Sequence, residues 1–125
     1  MIQRTGNSTL QLDPPVYILG SGSCAGKKEG EGPLASYFDA IYSDTLLGMD
    51  TWEQAESRLQ TEAVKTALHK AGLQPSDIQY IFAGDLLNQC ISSTYGLRDM
   101  NIPFLGQYGA CSTMAQTMGM AAAFV

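Results

Sequence analysis

The chain has 125 residues, 45% of them apolar and only 15% charged. That balance offers enough apolar surface to offset the entropy of ordering, so a disordered chain is excluded, and the length suits one domain. Seven basic against twelve acidic residues leave a net charge of −5, which argues against a nucleic-acid scaffold built on clustered Lys and Arg. The one basic pair, Lys27–Lys28, is followed by Glu29 and Glu31.

In chain order, Met1–Pro15 reads as a polar lead-in without the apolar core of a signal peptide. Val16–Leu19 is a short apolar run ending at Gly20, as a buried strand does. Glycine-rich Gly20–Pro33 reads as a loop, and Leu34–Met49 as a partly ordered excursion. The strongest helix is Thr51–Ala71: Trp52, Ala55, Leu59, Ala63, Val64, Ala67, Leu68 and Ala71 recur at spacings of three and four. Asp50 is the expected N-cap, with Glu53 completing a D-x-x-E pattern; Gly72 suits a left-handed C-terminal position, and Pro75 prevents resumption. A strand over Ile78–Ala83, an exit loop at Gly84–Gln89, a short helix over Ser92–Met100 and a strand over Phe104–Tyr108 follow. Ser112–Val125 closes the chain as a helix with almost no polar face.

Strands alternating with helices predict an α/β architecture of βαβαβα units on a mainly parallel sheet. Asn101–Val125 carries no charge, but Pro103, Gln107, Ser112, Thr113, Gln116 and Thr117 interrupt it. It reads as a buried strand and helix rather than a membrane span. A helix apolar all round needs cover on every side. The expectation is therefore a fragment of a longer protein, the alternative being a domain whose last helix docks on a partner.

Cys24, Cys90 and Cys111 cannot all pair within one chain, and none lies in a C-x-x-C; a reducing, intracellular setting is expected. With one His, they lack the spacing of a zinc site. Gly109–Ala110–Cys111–Ser112–Thr113 lies between a predicted strand and a predicted helix. Small residues there allow the sharp turn of a nucleophile elbow. The helix N-terminus would favour the thiolate, and its free N–H groups would steady an oxyanion. The same pattern also fits a buried, inert cysteine at a tight junction. Cys24 and Cys90 have no such frame and read as small hydrophobes. Gly20–Ala25 matches G-x-G-x-x-A, but Gly26–Pro33 cannot readily open the helix that a dinucleotide site needs. Asp85, Asn88 and Gln89 follow a strand on the side where open α/β sheets bind ligands, and are candidates to line a pocket with Cys111. An Asx turn with a helix cap is the alternative. His69 lies off the apolar stripe and reads as solvated, not as a base for Cys111.

The order of elements resembles the N-terminal half of the thiolase superfamily. TEAVKTALHKAGLQPSDIQYIFAG at Thr61–Gly84 resembles its first helix and second strand, and GACST at Gly109–Thr113 sits where those enzymes place the acyl-accepting cysteine. Within that superfamily, PVYILGSGS at Pro15–Ser23, KEGEGPL at Lys28–Leu34, AGDLLNQ at Ala83–Gln89 and IPFLGQYGACST at Ile102–Thr113 resemble the stage V sporulation protein AD family. The resemblance implies the N-terminal part of a layered αβαβα fold, homodimeric at full length, with Cys111 at the nucleophile position. It implies a peripheral protein at the spore inner membrane that binds dipicolinic acid and works with transport proteins of the same operon to move it into the forespore. The alternative it leaves open is an acyltransferase using Cys111. No cofactor is expected, coenzyme A thioester entering only as acyl donor under that alternative.

Overall fold

The computed structural model describes residues 2–125. Its architecture is α/β with short parallel and antiparallel strands and, among the described residues, four α-helices. It is consistent with the N-terminal part of a thiolase-like fold.

The expected lead-in is a hairpin. β1 (Ile2–Thr5) pairs antiparallel with β2 (Thr9–Leu12), Ile2 opposite Leu12. Gly6 supplies the positive φ that the turn requires, and Arg4 Nη2 donates to the Asn7 carbonyl at 2.7 Å. Val16–Leu19, by contrast, lies outside the regular strands, with Tyr17, Ile18 and Leu19 74%, 76% and 74% exposed. Four apolar residues in a row supply burial potential, but a strand also needs a ladder partner.

Two further strands lie where a loop and an excursion were expected. β3 (Cys24–Gly26) and β4 (Ala40–Tyr42) pair in parallel. The one-turn helix α1 (Lys27–Gly30) and a 3-10 turn at Ala35–Tyr37 lie between them. Asp39 fastens this unit: its Oδ2 accepts from Ser23 N at 2.9 Å, and its Oδ1 meets Lys70 Nζ at 2.5 Å. Lys70, then the Ser23 donors, hold the Asp39 carboxyl below its ordinary value.

α2 (Trp52–Ala71) confirms the periodicity, but its cap lies one residue later than expected. Thr51 Oγ1 accepts from Gln54 N at 3.3 Å, and Gln54 Oε1 accepts from Asp50 N at 3.1 Å. The pattern that folds is T-x-x-Q, with Gln54 reaching past the N-cap to the Asp50 N–H rather than closing a reciprocal box on Thr51. At the other end Gly72, at φ +69°, and Leu73 donate to His69 and Leu68, completing a Schellman motif.

β5 (Ile81–Ala83) and β6 (Phe104–Gly106) form a parallel pair, Ile81 opposite Phe104. α3 (Ile91–Leu97) makes the crossover and continues as a 3-10 turn at Arg98–Met100. Both strands are shorter than predicted, because the ladder pairs only Ile81–Ala83 with Phe104–Gly106. The described strands thus form three two-stranded ladders rather than one sheet. A 3-10 turn at Ala110–Ser112 leads into α4 (Thr113–Phe124).

Among the described residues the buried apolar ones are few: Ala25, Leu47, Ala55 and Leu97. Ala55 lies on α2 and Leu97 on α3, two helices that pack together and approach closely through small residues. A Cβ on Gly96 would lie 2.7 Å from the Ser57 carbonyl oxygen. Hydroxyls close the seam, Ser57 Oγ donating to Ser92 O at 2.7 Å and Thr61 Oγ1 to Gly96 O at 2.6 Å. α4 packs on β5, where Phe124 stands edge-on to Phe82 at 4.9 Å between ring centroids. Its Met114 and Met118 remain exposed, so the described residues do not enclose this helix. No helix among the described residues is long and apolar enough to cross a membrane.

Candidate functional site

The end of β5 and the turn before α4 meet at Gly84. A Cβ there would strike the Gln107 carbonyl oxygen and lie 2.7 Å from Thr113 Cγ2. Only glycine permits that approach, which puts the exit loop of β5 beside the start of α4. A cleft of about 510 Å³ opens here, lined by Glu56 and Gln60 of α2, by Asp85 and Leu86, and by Cys111 and Thr113.

Cys111 is a free, exposed thiol on this cleft. The left-handed residue of its turn is Ala110, at φ +50°, immediately before the cysteine. A non-glycine residue there costs about 1–2 kcal/mol, so the surrounding bonds must hold the turn. Thr113 Oγ1 accepts from Gly109 N at 3.2 Å, and Ser112 Oγ donates to Gly109 O at 2.7 Å. Cys111 thus lies in a fixed turn just ahead of α4.

Asp85 borders the same cleft but is only 4% exposed, and its carboxylate serves α3. Oδ1 accepts from Cys90 N at 3.0 Å; Oδ2 accepts from Ser93 N at 2.9 Å and Ser93 Oγ at 2.7 Å. Burial pushes the Asp85 carboxyl up, but the Ser93, Cys90 and Asn88 donors outweigh it and hold the value below the ordinary one. Two consecutive left-handed residues, Gln89 at φ +51° and Cys90 at φ +70°, turn the loop into α3. Asn88 and Gln89 are exposed and lie outside the lining of the cleft. The structure therefore brings two of the four expected site residues, Cys111 and Asp85, to one cavity.

The remaining titratable candidates are placed elsewhere. Burial, then Glu62 and Asp39, raises the Cys24 thiol. Burial, then Asp85, raises that of Cys90, whose Sγ donates to Gln107 O at 3.3 Å. His69 is exposed in the last turn of α2 and does not line the cleft.

Sequence reasoning missed Glu56 and Gln60. Gln60 Nε2 donates to Gly84 O at 3.4 Å, and Glu56 Oε1 accepts from Leu86 N at 3.5 Å. Together they tie α2 to the exit loop of β5. Their signal was an i, i+4 polar pair flanking the apolar stripe, where long side chains can reach a neighbouring element. The cleft lining contains two carboxylates and no Lys, Arg or His.

Residues 6–125 match the family model described as Stage V sporulation protein AD. The Stage V sporulation protein AD of Bacillus subtilis (strain 168) is 42% identical over 121 residues, a match that covers 97% of this chain. The chain spans 36% of that relative's length.

Proposed function

The chain belongs to the stage V sporulation protein AD family, and from that premise we propose that the whole protein binds dipicolinic acid in the Cys111 cleft and supports its uptake into the forespore. In this reading it is a peripheral partner of inner-membrane transport proteins, and a homodimer at full length. The observation that carries it is the cleft itself: two segments that the resemblance singled out, AGDLLNQ and GACST, meet there through Asp85 and Cys111. An aromatic dicarboxylate needs N–H donors or cations around its oxygens. The lining described above contributes no basic side chain, so residues elsewhere in the whole protein complete the site.

A second reading is favoured by one feature, the exposure of Cys111 on the cleft. Its thiolate would attack the carbonyl of a coenzyme A thioester, forming an acyl-cysteine and releasing the coenzyme thiol. Calorimetry of the full-length protein with dipicolinate, together with mass analysis of the Cys111 peptide after incubation with an acyl-coenzyme A, separates the two. Saturable binding without a mass increase is expected. An acyl adduct that disappears in Cys111→Ser, without dipicolinate binding, would replace the first reading by the second.

A further inference from the structure

The polar side chains that line the Cys111 cleft are spent within the fold. Asp85 gives both oxygens to donors of α3 and its N-cap. Glu56 Oε1 accepts from Leu86 N, and its Oε2 is sealed from solvent and so does not face the open space. The neutral groups are engaged as well. Gln60 Nε2 donates to Gly84 O, Thr113 Oγ1 accepts from Gly109 N, and Thr117 Oγ1 donates to Met114 O. The large side chains left open on this wall, beside the Cys111 thiol, are apolar. Leu86, from the exit loop of β5, is 57% exposed, and Met114, from the first turn of α4, is 71% exposed.

We propose that Leu86 and Met114 set the ligand specificity of the cleft, holding the planar ring of an aromatic dicarboxylate whose charged ends point away from this wall. Ligand sites commonly hold the apolar body of a ligand on apolar walls and orient it through a few polar groups. Here the wall has no cation for a carboxylate to pair with, and Asp85 and Glu56 disfavour a third carboxylate beside them. A ring suits the same surface. The Met114 thioether is polarizable and adaptable, and sulfur makes favourable contacts with aromatic rings. The inference rests on the Cys111 cleft being the dipicolinate site. It adds how the ligand lies there and why a ring is preferred to an open-chain dicarboxylate.

Calorimetry of the full-length protein with dipicolinate tests this. Leu86→Ala and Met114→Ala should each weaken binding about tenfold, the effect of losing about two methylene groups of buried contact. Met114→Leu, which keeps the volume, should recover most of the loss. Met118→Ala is the control, since Met118 is exposed on the same helix but lies off the cleft; it should bind as the wild-type protein does. Wild-type protein should bind glutarate, which keeps the carboxylate spacing along an open chain, at least about tenfold more weakly than dipicolinate. Unchanged affinity in both Leu86→Ala and Met114→Ala, or an equal loss in Met118→Ala, would overturn the inference and leave the dipicolinate site standing. Should the variants fail to fold, glutarate bound as tightly as dipicolinate overturns it alone. Absence of dipicolinate binding by the wild-type protein would instead remove the ligand reading on which it rests.

Discussion

Replacing Asp85 by Ala probes the joint between the cleft and α3. The carboxylate accepts hydrogen bonds from Cys90 N, Ser93 N and Ser93 Oγ at 2.7–3.0 Å, and the Asn88 backbone N–H adds to them. A charge-assisted bond of this kind contributes about 1.5–3 kcal/mol net, and a buried donor left without a partner costs about 1–3 kcal/mol. Ser93 is 0% exposed, so water cannot replace the lost acceptor unless the loop opens. Removing the carboxylate also removes the cost of burying it, and the bonds are not additive. The expected loss is about 3–4 kcal/mol, a large part of the ~5–15 kcal/mol that stabilises an ordinary domain. Asp85→Asn keeps one acceptor oxygen but points an amide N–H at a donor, for an expected loss of about 2 kcal/mol. The pH dependence follows from the lowered carboxyl value. The contribution is fully present above the unfolded-state pKa of about 3.9 and is lost as pH falls through the lower folded value. Urea unfolding of the full-length protein at neutral pH, repeated on the acid side, measures both effects. A loss below about 1 kcal/mol in Asp85→Ala, or an acid limb in Asp85→Asn as steep as that of the wild-type protein, would refute the reasoning.

Gly96→Ala places a methyl group 2.7 Å from the Ser57 carbonyl oxygen, and should cost about 1–3 kcal/mol in denaturant unfolding as α2 and α3 separate. Thr51→Ala removes the acceptor for Gln54 N, and should lower stability by about 1 kcal/mol in the same assay. Alkylation at mildly alkaline pH should modify exposed Cys111 first, because burial raises the thiols of Cys24 and Cys90; peptide mass mapping over time gives the order.

Local pattern carried the long elements. The apolar residues of α2 and its terminal Gly72 define that helix almost to the residue, since period and stop signal agree. The β5–α3–β6 unit was legible in type but not in length, because the ladder, not the apolar run, decides where a strand ends. Strands as short as β3 and β4 hold too few side chains to show alternation, and the β1–β2 hairpin was hidden because its one apolar face, Ile2, Leu10 and Leu12, is interrupted by Arg4 and divided between two four-residue strands. Val16–Leu19 was overread because apolar content signals burial without naming a partner. The site divided in the same way. Cys111 stood out through its small neighbours, and Asp85 through its place after a strand. Glu56 did not, because it joins the cleft through a contact with Leu86, thirty residues away in the chain. A polar residue beside an apolar stripe reads as solvated until another element packs on it.

The claim that the cleft beside Cys111 receives dipicolinate is tested most directly by protection of that thiol in the full-length protein. At ten times its dissociation constant the ligand leaves about a tenth of the sites free, so alkylation of Cys111 should slow about tenfold. Modification of Cys24 and Cys90 should keep its rate. Dipicolinate that binds measurably while Cys111 reacts at its unliganded rate would place the ligand elsewhere and contradict the account.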